Sequence, residues 1–113
     1  MTLEAYFAVG PAFERAIFEA VHDHLRGFEP LEVEPVSVGI FFKRRHMFAE
    51  LRPRRDRVVL SLMLSRRINH PRIRRTLRAA SERTVHYVDL HAADDVDDQV
   101  RDWLSEAYLA APL

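Results

Sequence analysis

Val36 to Leu64 reads VSVGIFFKRRHMFAELRPRRDRVVLSLML, and its alternation of apolar and polar positions decides the fold class. Val36, Val38, Ile40 and Phe42 alternate with Ser37, Gly39, Phe41 and Lys43. Met47, Ala49 and Leu51 then alternate with Phe48, Glu50 and Arg52, and Val58, Leu60, Leu62 and Leu64 with Arg57, Val59, Ser61 and Met63. A side-chain period of two is that of a strand with two distinct faces. A short basic turn and then Pro53-Arg54-Arg55-Asp56 separate these runs, and connections this short join antiparallel neighbours.

Beyond this stretch, TVHYVDLH (Thr84–His91) supplies a further strand. The segment Arg66–Arg83 fits two readings. Pro71, Ile73 and Leu77 allow a short helix, whereas Ile73, Arg75 and Leu77 alternate as an edge strand that arginines guard and that pairs with Thr84–His91. The strand is the preferred reading of residues 69–80. At the two ends the period becomes helical. Pro11 stands where a first-turn proline belongs, Phe13, Ile17, Ala20, Val21, Leu25 and Phe28 recur along one stripe, and Gly27 is placed to end that helix. Near the C-terminus, the aspartates of AADDVDDQ can cap a helix whose apolar stripe is Val96, Val100, Trp103, Leu104, Ala107 and Tyr108. The expectation is an α+β fold in a single domain, 1–113: an antiparallel four- to five-stranded sheet with N- and C-terminal helices packed on one face.

Composition agrees with a globular chain, at 48% hydrophobic and 30% charged residues. Without cysteine, neither disulfides nor thiolate chemistry is available. The N-terminus lacks the pattern of a signal peptide, and no window approaches the roughly 20 apolar residues of a membrane span. A cytoplasmic protein with no membrane partner is expected. Formal net charge is zero, yet residues 1–42 carry −5, residues 43–83 carry +11 and residues 84–113 carry −6. Either the acidic ends neutralise the basic middle on folding, or the middle meets an anionic partner.

The stretches VEPVSVGIFFKRRHMFAELRPR (33–54), HPRIRRTLRAASERTVHYVDL (70–90) and DVDDQVRDWLSEAY (95–108) together resemble the bacterial family of domains of unknown function numbered 5655. The resemblance implies a compact α+β domain, free-standing or attached to other domains, some of the restriction-system type. It implies no known reaction and no functional residues.

A search for chemistry returns little. His22 and His24 diverge by about 200° on a helix, His86 and His91 fall on opposite strand faces, and His46 and His70 lie in basic turns; no metal site and no cofactor are expected. Asp95, Asp97, Gln99 and Glu106 imitate a calcium loop, but Val100 stands where such a loop needs glycine. His86 shares a face with Val88 and Leu90 and is expected to point at the helices, as a general base in a pocket or as a hydrogen-bonded core residue.

The face away from the helices is more informative. Phe41, Phe48, Val59, Met63, Val85 and Tyr87 are expected there, with Lys43, Arg52 and Arg57 as a basic rim and Arg44 in the adjoining turn. One-sided sheets normally present polar residues to solvent. Phe41, Lys43, Arg44, Phe48, Arg52, Arg57 and Tyr87 are therefore the candidate binding residues. The leading expectation is a non-catalytic module that associates through this face with a second copy, as a homodimer, or with another protein domain. Coverage by the N-terminal segment through Tyr6 and Phe7 is a further reading. The alternatives are nucleic-acid or other anion binding by the arginine-rich middle, with aromatics stacking bases, and an enzyme built on His86.

Overall fold

The computed structural model describes residues 1–79 and 82–112. Its sheet holds β1 (Glu32–Val36), β2 (Gly39–Arg44), β3 (His46–Pro53), β4 (Val58–Leu64), β5 (Ile73–Arg78) and β6 (Thr84–Leu90), in the order β1-β2-β3-β4-β6-β5. Every neighbouring pair is antiparallel. The sequence expectation of four or five strands thus becomes six. The additional strand is β1, hidden by Pro35, which an edge strand tolerates because one side of its backbone has no ladder partner.

Val36 closes β1 instead of opening the next strand. It pairs with Gly39 across a Ser37-Val38 turn, which leaves Val38 half exposed and off the core face assigned to it by the alternation. Gly39 is required by close approach: a Cβ there would lie 2.2 Å from the Leu51 carbonyl oxygen. Residues 69–80 resolve in favour of the edge strand for Ile73–Arg78, with Ala80 outside the described residues.

Among the described residues three α-helices accompany the sheet: α1 (Leu3–Phe7), α2 (Ala12–Leu25) and α3 (Asp98–Ala110). The N-cap of α3 is Asp97, whose carboxylate accepts from the Val100 N–H at 3.0 Å. Pro11 sits one position earlier than expected, as the extended N-cap of α2. Ile17, Val21 and Leu25 of α2 and Val100, Trp103, Leu104 and Ala107 of α3 bury against Ile40, Phe42, Leu60, Leu62, Leu64, Val88 and Leu90 of the sheet. The N-terminal segment lies on this same side, with Phe7 against Phe18 at 5.3 Å between ring centres. It therefore does not cover the opposite face.

The strand order makes β4 and β5 parallel, with β6 between them, so residues 65–72 must cross over β6. They cross on the helix side, tied down by the Ile68 N–H to His86, by His70 edge-on to Trp103 and by Arg66 to Glu106. This leaves the other face of the sheet without a helix. Among the described residues no helix is long and apolar enough to cross a membrane.

Candidate functional site

The sheet register lays the helix-free face out in rows. One row runs Glu34, Phe41, Glu50, Ser61, Tyr87 and Arg75 from edge to edge. The row on one side of it carries Arg52, Val59 and Asp89, and the row on the other carries Met63, Val85 and Leu77. Sheet twist and the long rim side chains turn the middle of this face into a concavity of about 410 Å³. Arg52, Arg54, Arg57, Arg74 and Arg75 all line it, over a floor of Glu50, Val59, Ser61, Met63, Val85 and Tyr87.

Two β-bulges redistribute the side chains. In β3 the register passes from Phe42↔Ala49 to Lys43↔Met47, so Phe48 is the extra residue. A bulge can turn two successive side chains to one face, and Phe48 accordingly joins Ala49 on the helix side, fully buried with its ring 5.3 Å from Tyr108. In β5 the register passes from Ile73↔Val88 to Arg75↔Tyr87, so Arg74 is the extra residue and reaches the open face together with Arg75. The first bulge removes an aromatic from the open face and the second adds an arginine to it.

Of the residues singled out from sequence, Arg52, Arg57 and Tyr87 come together in the concavity. Phe41 and Lys43 occupy the same face nearer β1, where the Lys43 ammonium lies 2.9 Å from Glu34. Phe48 and Arg44 are elsewhere. The Arg44 guanidinium sits 4.6 Å from the centre of the Tyr108 ring and donates to the Tyr108 carbonyl at 3.1 Å. It thereby supplies a cation to the last turn of α3, which has no basic residue of its own there. Arg54, Arg74, Arg75, Glu50 and Ser61 were not singled out; pairing β5 with β6 residue by residue would have found Arg75 opposite Tyr87.

A family model described as a domain of unknown function (DUF5655) matches residues 3–111. The chain belongs to the DUF5655 family. No curated protein and no solved structure matches it.

The electrostatics of the DUF5655 face are those of an incompletely neutralised cluster. Arg52 pairs with Glu50. Asp89 is shared by Arg57 and Arg74 at 3.2 Å each, and Arg57 also reaches Asp56 at 2.9 Å. The Arg57 Nε, although close to Asp89, is buried without a hydrogen bond among the described residues. The Arg54 guanidinium donates to the Pro53 carbonyl, and Arg75 lies over the Tyr87 ring at 4.8 Å from its centre. Five guanidiniums thus meet three carboxylates, Glu50 in the lining and Asp56 and Asp89 outside it. The helix layer of this DUF5655 chain has the opposite sign, with Glu14, Glu19 and Asp23 on α2 and Asp98, Asp102 and Glu106 on α3.

Two histidines of the DUF5655 chain, His86 and His24, make hydrogen bonds between separate elements. The His86 ring is fully buried, and its Nε2 accepts from the Ile68 N–H at 2.9 Å. Nδ1 must then carry the proton, which it donates to the Thr84 carbonyl at 3.0 Å. Burial holds the pKa of His86 below the usual histidine range. With both nitrogens used and no solvent path, the ring fastens the crossover to β6. His24 Nε2 contacts Ser105 Oγ at 2.8 Å between α2 and α3. The backbone N–H groups around Ser105 are committed within the helix, so nothing there forms an oxyanion hole. Among the described residues no cluster of three or more histidines and carboxylates can hold a metal.

Proposed function

We propose that this chain is a non-catalytic binding module whose helix-free sheet face takes an anionic partner. The observation that carries this reading is the convergence of five arginines, from the β3–β4 turn region and edge strand β5, on one concavity of about 410 Å³. Arginine's planar fork suits oxyanions such as phosphate, which it meets with paired N–H donors. The field is directional as well. The acidic helices lie on the far side of the sheet, so a polyanion is attracted to one face and repelled by the other. Association with a second copy is the weaker reading, because Glu50, Ser61 and Asp89 occupy this face and Phe48 has left it.

Calorimetric titration of the full chain with inorganic polyphosphate, at low and physiological salt, tests the proposal. Binding that weakens steeply with salt is expected, as is its loss in the double variant Arg54→Glu, Arg75→Glu. Absence of binding at low salt, together with a dimer mass in solution, returns the face to self-association.

A further inference from the structure

Resting on that reading, we infer that the anionic partner is a single-stranded nucleic acid, one nucleotide of which lies in the concavity with its base at Tyr87 and its phosphate among Arg52, Arg54 and Arg57. The hollow is polar along one direction. Its basic end is the row of Arg52, Val59 and Asp89 with Arg54, Arg57 and Arg74 around it. Its other end is Met63 and Val85, and the half-exposed Leu77 continues their apolar row beyond the hollow. Tyr87 stands between the two ends with Arg75 across its ring. A bare phosphate uses the first end and gains nothing from the second. A ligand with a charged group joined to a flat ring uses both, and a nucleotide has that form.

The floor supplies polar contacts where such a ligand needs them. Glu50 and Ser61 lie beside Tyr87 in the same cross-sheet row. The carboxylate accepts from a base amino group or sugar hydroxyl, and the serine hydroxyl both donates and accepts. Arg75 offers a second planar surface at the ring.

The row then continues to Phe41, on the same face beyond Glu50, with Lys43 two positions along β2. Tyr87 and Phe41 are three strand spacings apart, roughly 14 Å. A free nucleotide cannot reach both rings, whereas a strand can pass from one to the other. A duplex fits less well, because its bases are already stacked on one another and present only edges to the protein.

The test is fluorescence anisotropy on the full chain. The ligands are a labelled single strand of about ten nucleotides, an abasic backbone of equal length and charge, and the corresponding duplex. Nucleoside monophosphate serves as competitor. The base-bearing strand is expected to bind about tenfold more tightly than the abasic one, with the duplex weaker than the strand. Tyr87→Leu, its fold checked by circular dichroism, is expected to bring the base-bearing strand to within about twofold of the abasic one. Equal binding of base-bearing and abasic strands overturns this inference while leaving the anion-binding proposal standing. So does a duplex as tight as the single strand, or a monophosphate that competes as well per nucleotide. Silence of all these ligands and of polyphosphate removes both. Should Tyr87→Leu not fold, the abasic comparison decides without a variant.

Discussion

The two faces of the sheet come from the same strands and solve opposite problems. On the helix side, several polar groups meet specific partners. His86 joins Ile68 to Thr84, the Tyr108 hydroxyl donates to the Pro30 carbonyl at 2.8 Å, and Arg66 makes a bidentate pair with Glu106 at 2.8 and 2.9 Å. On the open side, Val59 and Val85 are nearly as buried, at 4% and 8% exposure, with no helix above them. The long arginine side chains around the concavity lie beside them. The neutral sum of charges conceals a directional arrangement. Most acids of the chain's two ends fold into the helix layer, and part of the basic middle is displayed on the other face.

The sharpest way to break this contrast is to truncate one phenylalanine on each face. Phe48→Ala empties a fully enclosed site beside Tyr108 and is expected to cost about 3 to 5 kcal/mol in urea denaturation. Phe41→Ala, on the half-exposed face, is expected to cost roughly 1 kcal/mol. Equal losses from the two would mean that the open face is covered in solution. Next in size is His86→Ala. It leaves the Ile68 N–H and the Thr84 carbonyl without their ring partner, and about 2 to 3 kcal/mol is expected to be lost.

The same histidine sets a pH dependence. Its folded pKa lies below the unfolded value, so below the usual histidine range near 6.5 the unfolded chain binds more protons than the folded one. Stability is therefore fully present above that range and is lost as pH falls through it. His22 and His24, also lowered chiefly by burial, act in the same direction. Denaturation midpoints between pH 8 and pH 5 are expected to fall in the wild type and to fall less in His86→Ala. Asp97, held below the ordinary carboxylate range first by the Val100 N–H, and Glu106, held down first by Arg66, add a separate loss in more acidic solution. A flat profile from pH 8 to 5 would contradict the buried neutral ring.

The class of fold, both long helices and the antiparallel middle were legible because periodicity reports which face a residue occupies. What escaped was local and geometric. Pro35 hid an edge strand, and Ser37-Val38 made a turn without the usual turn residues. Two bulges shifted register by single residues, and a one-residue shift exchanges faces. This is why Phe48 was read as a surface aromatic and Arg74 went unread. Three members of the candidate site, Arg52, Arg57 and Tyr87, were legible because they lie in regular stretches of β3, β6 and the β3–β4 turn. Arg44 was misplaced because its destination, the end of α3, is set by tertiary packing.

The smallest expected effect on stability separates the two faces most cleanly. Arg54 is exposed in the β3–β4 turn, its guanidinium donates to the neighbouring Pro53 carbonyl while its backbone N–H donates to the Arg57 carbonyl, and its side chain pairs with no carboxylate among the described residues. Arg54→Ala should leave the denaturation midpoint within about 0.5 kcal/mol of wild type, as surface changes away from structural features do. If Arg54 belongs to a phosphate-binding rim, the same variant lowers the slope of log affinity against log salt by about 0.7 for a single strand. By contrast Arg66→Ala, on the helix side, should lower the denaturation midpoint slightly through loss of Glu106 and leave that slope unchanged. Two arginines in one chain would then read out independently, one in folding and one in binding. A slope that shifts equally for both would mean that the chain attracts anions by its charge at large and not by its open face.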